Sequence, residues 1–110
     1  MVRLEEVHEV LRASFGTAAA NDTTLVALTA GKSILVLNFH LYSNGTTTVK
    51  LLSGADYVFG SADAGAALVA GGQLNLASPA GVVKTAVGAA LIINNSAAVG
   101  ICGSLTYVLV

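Results

Sequence analysis

The chemically versatile residues of this chain are few. It contains two histidines and one cysteine, and beyond the first dozen positions its carboxylates are Asp22, Asp56 and Asp63. Nucleophilic catalysis needs a serine or cysteine, a histidine to take its proton and an acid to orient that histidine. His8 lies among the charges of the N-terminus. His40 stands two residues from both Asn38 and Tyr42, the spacing that puts all three on one side of a strand. Asn38, His40 and Tyr42 therefore read as an exposed polar face or a subunit contact, with no acid beside them. Paired carboxylates for glycoside hydrolysis would have to come from the three aspartates. Each of these falls in a turn-forming stretch, where aspartate bonds its own backbone. No paired-cysteine, zinc-helix or EF-hand spacing is present, so no metal is expected. Gly71-Gly72 lacks the Lys-Ser/Thr and following helix of a phosphate loop. The expectation is a protein with no catalytic residue and no cofactor, hence not an enzyme.

Composition narrows the function classes further. A chain of 110 residues is one small domain. Hydrophobic residues make up 55% and charged residues 10%, where about 25% charged is usual. Arg3, Glu5, Glu6, Glu9 and Arg12 crowd the start, whereas from Thr23 onward only Lys32, Lys50, Asp56, Asp63 and Lys84 are charged. A domain of this size leaves roughly 40% of its unfolded-chain surface exposed, more than so few charges solvate. A homo-oligomer with apolar contacts is expected. The formal net charge of −1 offers no basic face for nucleic acid. The apolar run Ala86 to Ile93 falls short of the ~20 residues of a membrane span. MVRLEEVHEV carries acids where a secretion signal has its apolar core. Neither a membrane nor a secreted setting is expected, and the Asn-x-Ser/Thr triplets at Asn21, Asn44 and Asn94 carry no weight without one. The single Cys102 excludes an internal disulfide. Between Ile101 and Gly103 it reads as a buried small hydrophobe.

The elements that would position these residues are short strands. Ser33 to Ser53 sets two β-rich runs around Asn44-Gly45, the dipeptide best suited to a two-residue type I′ turn. This predicts a β-hairpin in which Leu35, Leu37, Phe39 and Leu41 form one apolar face, matched by Val49 and Leu51 on the return. Residues 1–15 are an N-terminal arm or first strand, since Leu4, Val7, Leu11 and Phe15 have helical spacing while Leu11 to Phe15 alternates as a strand; a strand near Val7 to Ser14 is the preferred reading. Gly16 to Thr23 reads as a loop, Thr24 to Leu28 as a strand, and Tyr57 to Phe59, Ala66 to Ala70, Gln73 to Leu76, Val82 to Val87 and Ala89 to Asn94 as further strands between Gly, Asn, Ser and Pro turns. Gly100 to Val110, long and free of charged side chains, reads as a central strand. Eight or nine such strands over residues 16–110 indicate an all-β domain, a jelly-roll-like β-sandwich first and an immunoglobulin-like one second.

Three stretches carry a resemblance. Thr29 to Leu37 (TAGKSILVL), Thr48 to Gly54 (TVKLLSG) after the Asn-Gly turn, and the closing Gly103 to Val110 (GSLTYVLV) are similar to short all-β structural proteins of tailed bacteriophages, whose final strand commonly reads Gly-x-Leu-Thr-Tyr-Val. Leu74 to Ala77 and Ala86 to Leu91 fit the same pattern. The resemblance spans roughly residues 24–110 and brings no catalytic residues with it. It implies a virion component of the capsid decoration (cement) type, a homotrimer with a jelly-roll-like core. Its partner would be the major capsid protein on the capsid exterior, and assembly would take place in the bacterial host cytoplasm. The charged arm, with Arg3, Glu5, Glu6, His8, Glu9 and Arg12, is then the candidate capsid contact. A head or tail appendage module that binds host-surface carbohydrate or receptor is the alternative. It would use Tyr42 and Tyr57, the aromatic residues expected to be exposed.

Overall fold

Short runs that alternate apolar and polar residues bury one face only by pairing edge to edge and stacking on a second sheet. The computed structural model describes residues 9–110, and these form ten strands: β1 (Leu11–Thr17), β2 (Asn21–Val26), β3 (Ile34–Ser43), β4 (Thr47–Ser53), β5 (Asp56–Phe59), β6 (Ala66–Leu68), β7 (Gln73–Ala77), β8 (Val83–Lys84), β9 (Leu91–Asn95) and β10 (Ile101–Leu109). Sheet A has the order β1-β10-β3-β7, with β8 also on β3. Sheet B has the order β2-β9-β4-β5, with β6 also on β4. Every pairing is antiparallel. Ile34, Phe39, Leu41 and Leu105 of sheet A meet Val49, Leu51, Leu91 and Ile93 of sheet B in one core, each at most 2% exposed. The architecture is a β-sandwich, as the alternation predicts.

The pairing is nested. β1 meets β10, β2 meets β9, β3 meets β7 and β8, and β4 meets β5 and β6. The closing run is central, as expected, because β10 lies between β1 and β3.

The Ser33 to Ser53 hairpin does not form. β3 and β4 are consecutive but belong to different sheets, and neither Asn44 nor Gly45 has positive φ. The chain instead turns a corner: Asn44 N–H donates to Gly100 O (2.8 Å) and Ser43 N–H to Gly72 O (2.9 Å). The physical reason is that the two apolar faces face each other across the core as well as they would lie side by side. Sequence alternation records that a face is buried, not which sheet covers it.

The predicted apolar face of β3 is also broken. In the register with β10, Asn38 pairs Thr106 and Val36 pairs Tyr107, leaving Leu37 as an extra, bulged residue. A bulge switches which side chains point inward. Ile34 and Val36 are buried before it, Phe39 and Leu41 after it, while Leu35 and Leu37 are only half-buried. Two smaller boundaries move as well. The predicted Gly16 to Thr23 loop shrinks to residues 18–20, with Asn21 at φ 74° opening β2, and the Val82 to Val87 strand is reduced to Val83–Lys84. Asparagine is among the side chains that tolerate this left-handed backbone.

Where the chain passes from sheet to sheet its backbone polar groups leave the ladders, and buried side chains take them over. Asn95, wholly buried, donates through Nδ2 to Ala19 O (3.3 Å) and Val99 O (3.1 Å), and its Oδ1 accepts from the Thr47 hydroxyl. Ser53 Oγ accepts from Ala86 N–H (2.7 Å) and Thr85 Oγ1 from Ile34 N–H (2.8 Å).

Replacing Asn95 by Leu keeps the volume and removes three hydrogen bonds from a buried position; urea unfolding should show a loss of about 2 kcal/mol. Gly103 has a different constraint, since a Cβ there would lie 1.9 Å from the His40 carbonyl oxygen, backbone that side-chain adjustment cannot move. Gly103→Ala should cost about 3 kcal/mol by forcing β10 away from β3, and an unchanged urea midpoint would refute the close approach.

Candidate functional site

The outward face of sheet A brings together Asn38, His40 and Tyr42. Alternate residues of β3 point away from the core after the Leu37 bulge, and all three are exposed. Register extends each into a row across four strands. Ser14 (β1), Ser104 (β10), His40 (β3) and Asn75 (β7) form the middle row. Gly16, Cys102, Tyr42 and Gln73 form the next, and Arg12, Thr106, Asn38 and Ala77 the third. Arg12 is the sole charged side chain in these rows, and none is a carboxylate. His40 Nδ1 and Asn75 Oδ1 are hydrogen-bonded to each other across β3 and β7. This arrangement can exchange hydrogen bonds with a flat polar partner.

Sequence reasoning placed Cys102 in the interior; the structure puts it on this face, exposed. Ile101 is the inward residue, 2% exposed, and the period of two then turns Cys102 outward. Its two neighbours could not reveal this, because Gly103 is present for close backbone packing and not for burial of a side chain.

Beside the polar rows the Leu37 bulge creates a shallow groove of about 370 Å³, lined by Val10, Leu37, Asn38, Ala77, Pro79 and Thr106 among others. Sequence analysis missed it because the bulge itself leaves no local signature: Leu37 looks like any alternating core residue.

The aspartates do not converge. Asp22 and Asp56 lie on β2 and β5, the two edges of sheet B, about 14 Å apart on strand spacing alone, beyond the reach of a glycosidase pair. Asp22 Oδ1 accepts from Asn94 Nδ2 (2.8 Å). Asp63 lies in the loop between β5 and β6, where its N–H donates to Ser61 Oγ (3.3 Å). On the outward face of sheet B, Lys50 Nζ donates to Ala62 O (3.1 Å) and lies 5.5 Å from the Tyr57 ring centroid. Tyr42 and Tyr57 are 39% and 44% exposed, on opposite sheets. Among the described residues no three His, Cys, Asp or Glu side chains gather as a metal site. Of the proposed contact residues in the arm, Glu9 and Arg12 are exposed, whereas Arg3, Glu5, Glu6 and His8 lie outside the described residues.

No protein-family model and no curated protein matches the chain. Among solved structures, a chain of the cyanophage Pam1 capsid asymmetric unit is similar in fold, with a TM-score of 0.50 and 16% sequence identity over 92% of this chain and 85% of that one.

The placement of Cys102 is open to a direct check. In the native protein its thiol should react with an aromatic disulfide reagent to one equivalent per chain, within about tenfold of the rate of a free thiol. Reaction that requires denaturant would return Cys102 to the interior.

Proposed function

We propose that the protein is a non-enzymatic structural component of a phage virion, a capsid decoration (cement) protein that binds between subunits of the major capsid protein on the outside of the head. The observation that carries this reading is the nested strand order, β1-β10-β3-β7 over β2-β9-β4-β5, taken with the fold likeness to a chain of a phage capsid over 92% of this sequence. Counting β5 with β6 and β7 with β8 as one position each, the order is that of a long antiparallel ribbon rolled into two four-position sheets. That supports the jelly-roll form of the sandwich.

Stabilisation of a shell would follow from mass action. Each bound copy would favour the mature lattice by its differential contacts with that state. The rows on sheet A, which hold no carboxylate, supply hydrogen-bonding groups to such a contact, and Arg12 at the end of one row and Glu9 beyond it add charge. A homotrimer would match the local threefold positions of a shell, and its contacts would cover apolar surface that the 10% charged composition leaves poorly solvated. Virion assembly in the bacterial host cytoplasm accords with a single, unpaired cysteine.

The alternative, an appendage module that binds host-surface carbohydrate, finds less support. Sugar stacking needs a free aromatic platform, and Tyr57 has Lys50 over its ring while Tyr42 is on the other sheet.

The test is sedimentation of purified protein with heads assembled without it. Binding should be saturable and should raise the temperature at which the heads release DNA. The double variant Glu9→Lys/Arg12→Glu should weaken binding at least tenfold with the β-sandwich intact by circular dichroism. Heads that sediment without the protein would end the cement reading.

A further inference from the structure

We propose that β1 is a self-pairing edge, through which two copies of this chain join antiparallel about a two-fold axis at Ser14. Sheet edges invite pairing unless they are short, broken, bulged or charged. Three of the four edges here are managed in those ways. The β7–β8 edge consists of five and two residues interrupted by the turn that holds Pro79. The β5–β6 edge consists of four and three residues, with a register shift within the β4–β5 pairing. β2 carries Asp22 and a shift between Thr24 and Val26. β1 is neither broken nor bulged, and its one charge, Arg12, stands near the start of the strand. It keeps seven consecutive pairs with β10 without a shift, and among the described residues it pairs with no other strand.

The occupant follows from the sequence of the edge itself. In an antiparallel register centred on Ser14, all seven residues of β1 find a partner in the second copy. Ser14 meets Ser14, Ala13 meets Phe15, Arg12 meets Gly16, and Leu11 meets Thr17. The bulky Phe15 is set against a small residue on the core side, and the one charge is set against a residue with no side chain. Directly opposed like charges, which would penalise self-pairing, are absent. Ala13 and Phe15 are only half-buried at this edge although both pack on the core, so a second copy would complete their cover. The middle rows of two copies would join as Asn75-His40-Ser104-Ser14 and its symmetry mate, an eight-stranded polar platform without a carboxylate.

This contact is two-fold and independent of capsid binding; a trimer that also paired through β1 would contain six chains. Light scattering on the full chain is expected to give an even multiple of the 11.0 kDa monomer. Ser14→Lys, which puts two ammonium groups on the axis from an exposed position, should halve that mass and leave the circular dichroism spectrum unchanged. Ser14→Cys in a Cys102→Ser background should yield a reducible covalent dimer, since directly opposed strand residues lie about 4.5–5.5 Å apart at Cα, within disulfide reach. A monomer or a trimer of the unaltered chain, or a mass that Ser14→Lys does not change together with no cross-link from Ser14→Cys, would overturn the pairing. Neither result bears on whether the protein binds phage heads.

Discussion

The fold depends on satisfying the backbone at its corners. Successive strands pass repeatedly from one sheet to the other, and at each crossing N–H and C=O groups leave the ladders close to the apolar core. An unpartnered amide there costs on the order of 1–3 kcal/mol, a large fraction of the stability of a small domain. Asn95, Thr47, Ser53 and Thr85 meet that demand from buried positions. Asn95 alone ties the β1–β2 connection, the β4 strand and the β9–β10 loop together. The apolar core supplies the driving force, but these polar side chains decide where the chain is able to cross.

Their role explains which parts of the fold were legible in the sequence. The runs Gln73 to Leu76 and Ile101 to Leu109 announced themselves through alternation, and the central place of β10 followed from its lack of charged side chains. The sandwich followed from the number of short runs. The sheet to which each run belongs was not legible, since Phe39 and Leu41 show the same pattern whether Val49 and Leu51 lie beside them or across from them. Asn44-Gly45 pointed to a tight hairpin because its local preference is strong; the Ser43 and Asn44 hydrogen bonds to Gly72 and Gly100 override that preference. These partners are distant in sequence, and no local rule anticipates them.

The same limit applies to the site. Asn38, His40 and Tyr42 share a face in the structure as their spacing required, and β7 and β10 supply the neighbours that give the face its character. Ser104, Asn75 and Cys102 could be found only by register. A single-residue bulge at Leu37 explains why the first half of β3 faces opposite to its sequence parity. It also explains why Leu37 is only half-buried, beside a groove that Val10, Ala77 and Pro79 help to line.

The central position of β10 has a consequence for how the chain is made. During synthesis β1 and β3 emerge long before β10, the strand that joins them, and β2 and β4 likewise wait for β9. No sheet of this sandwich can close on the ribosome until the C-terminal part of the sequence has left the exit tunnel. Non-local pairing of this kind folds slowly and leaves apolar strands exposed in the interim. Cells that produce the protein in quantity would accumulate unpaired nascent chains, whose yield should depend on growth temperature and chaperone supply more than that of a helical protein of the same length.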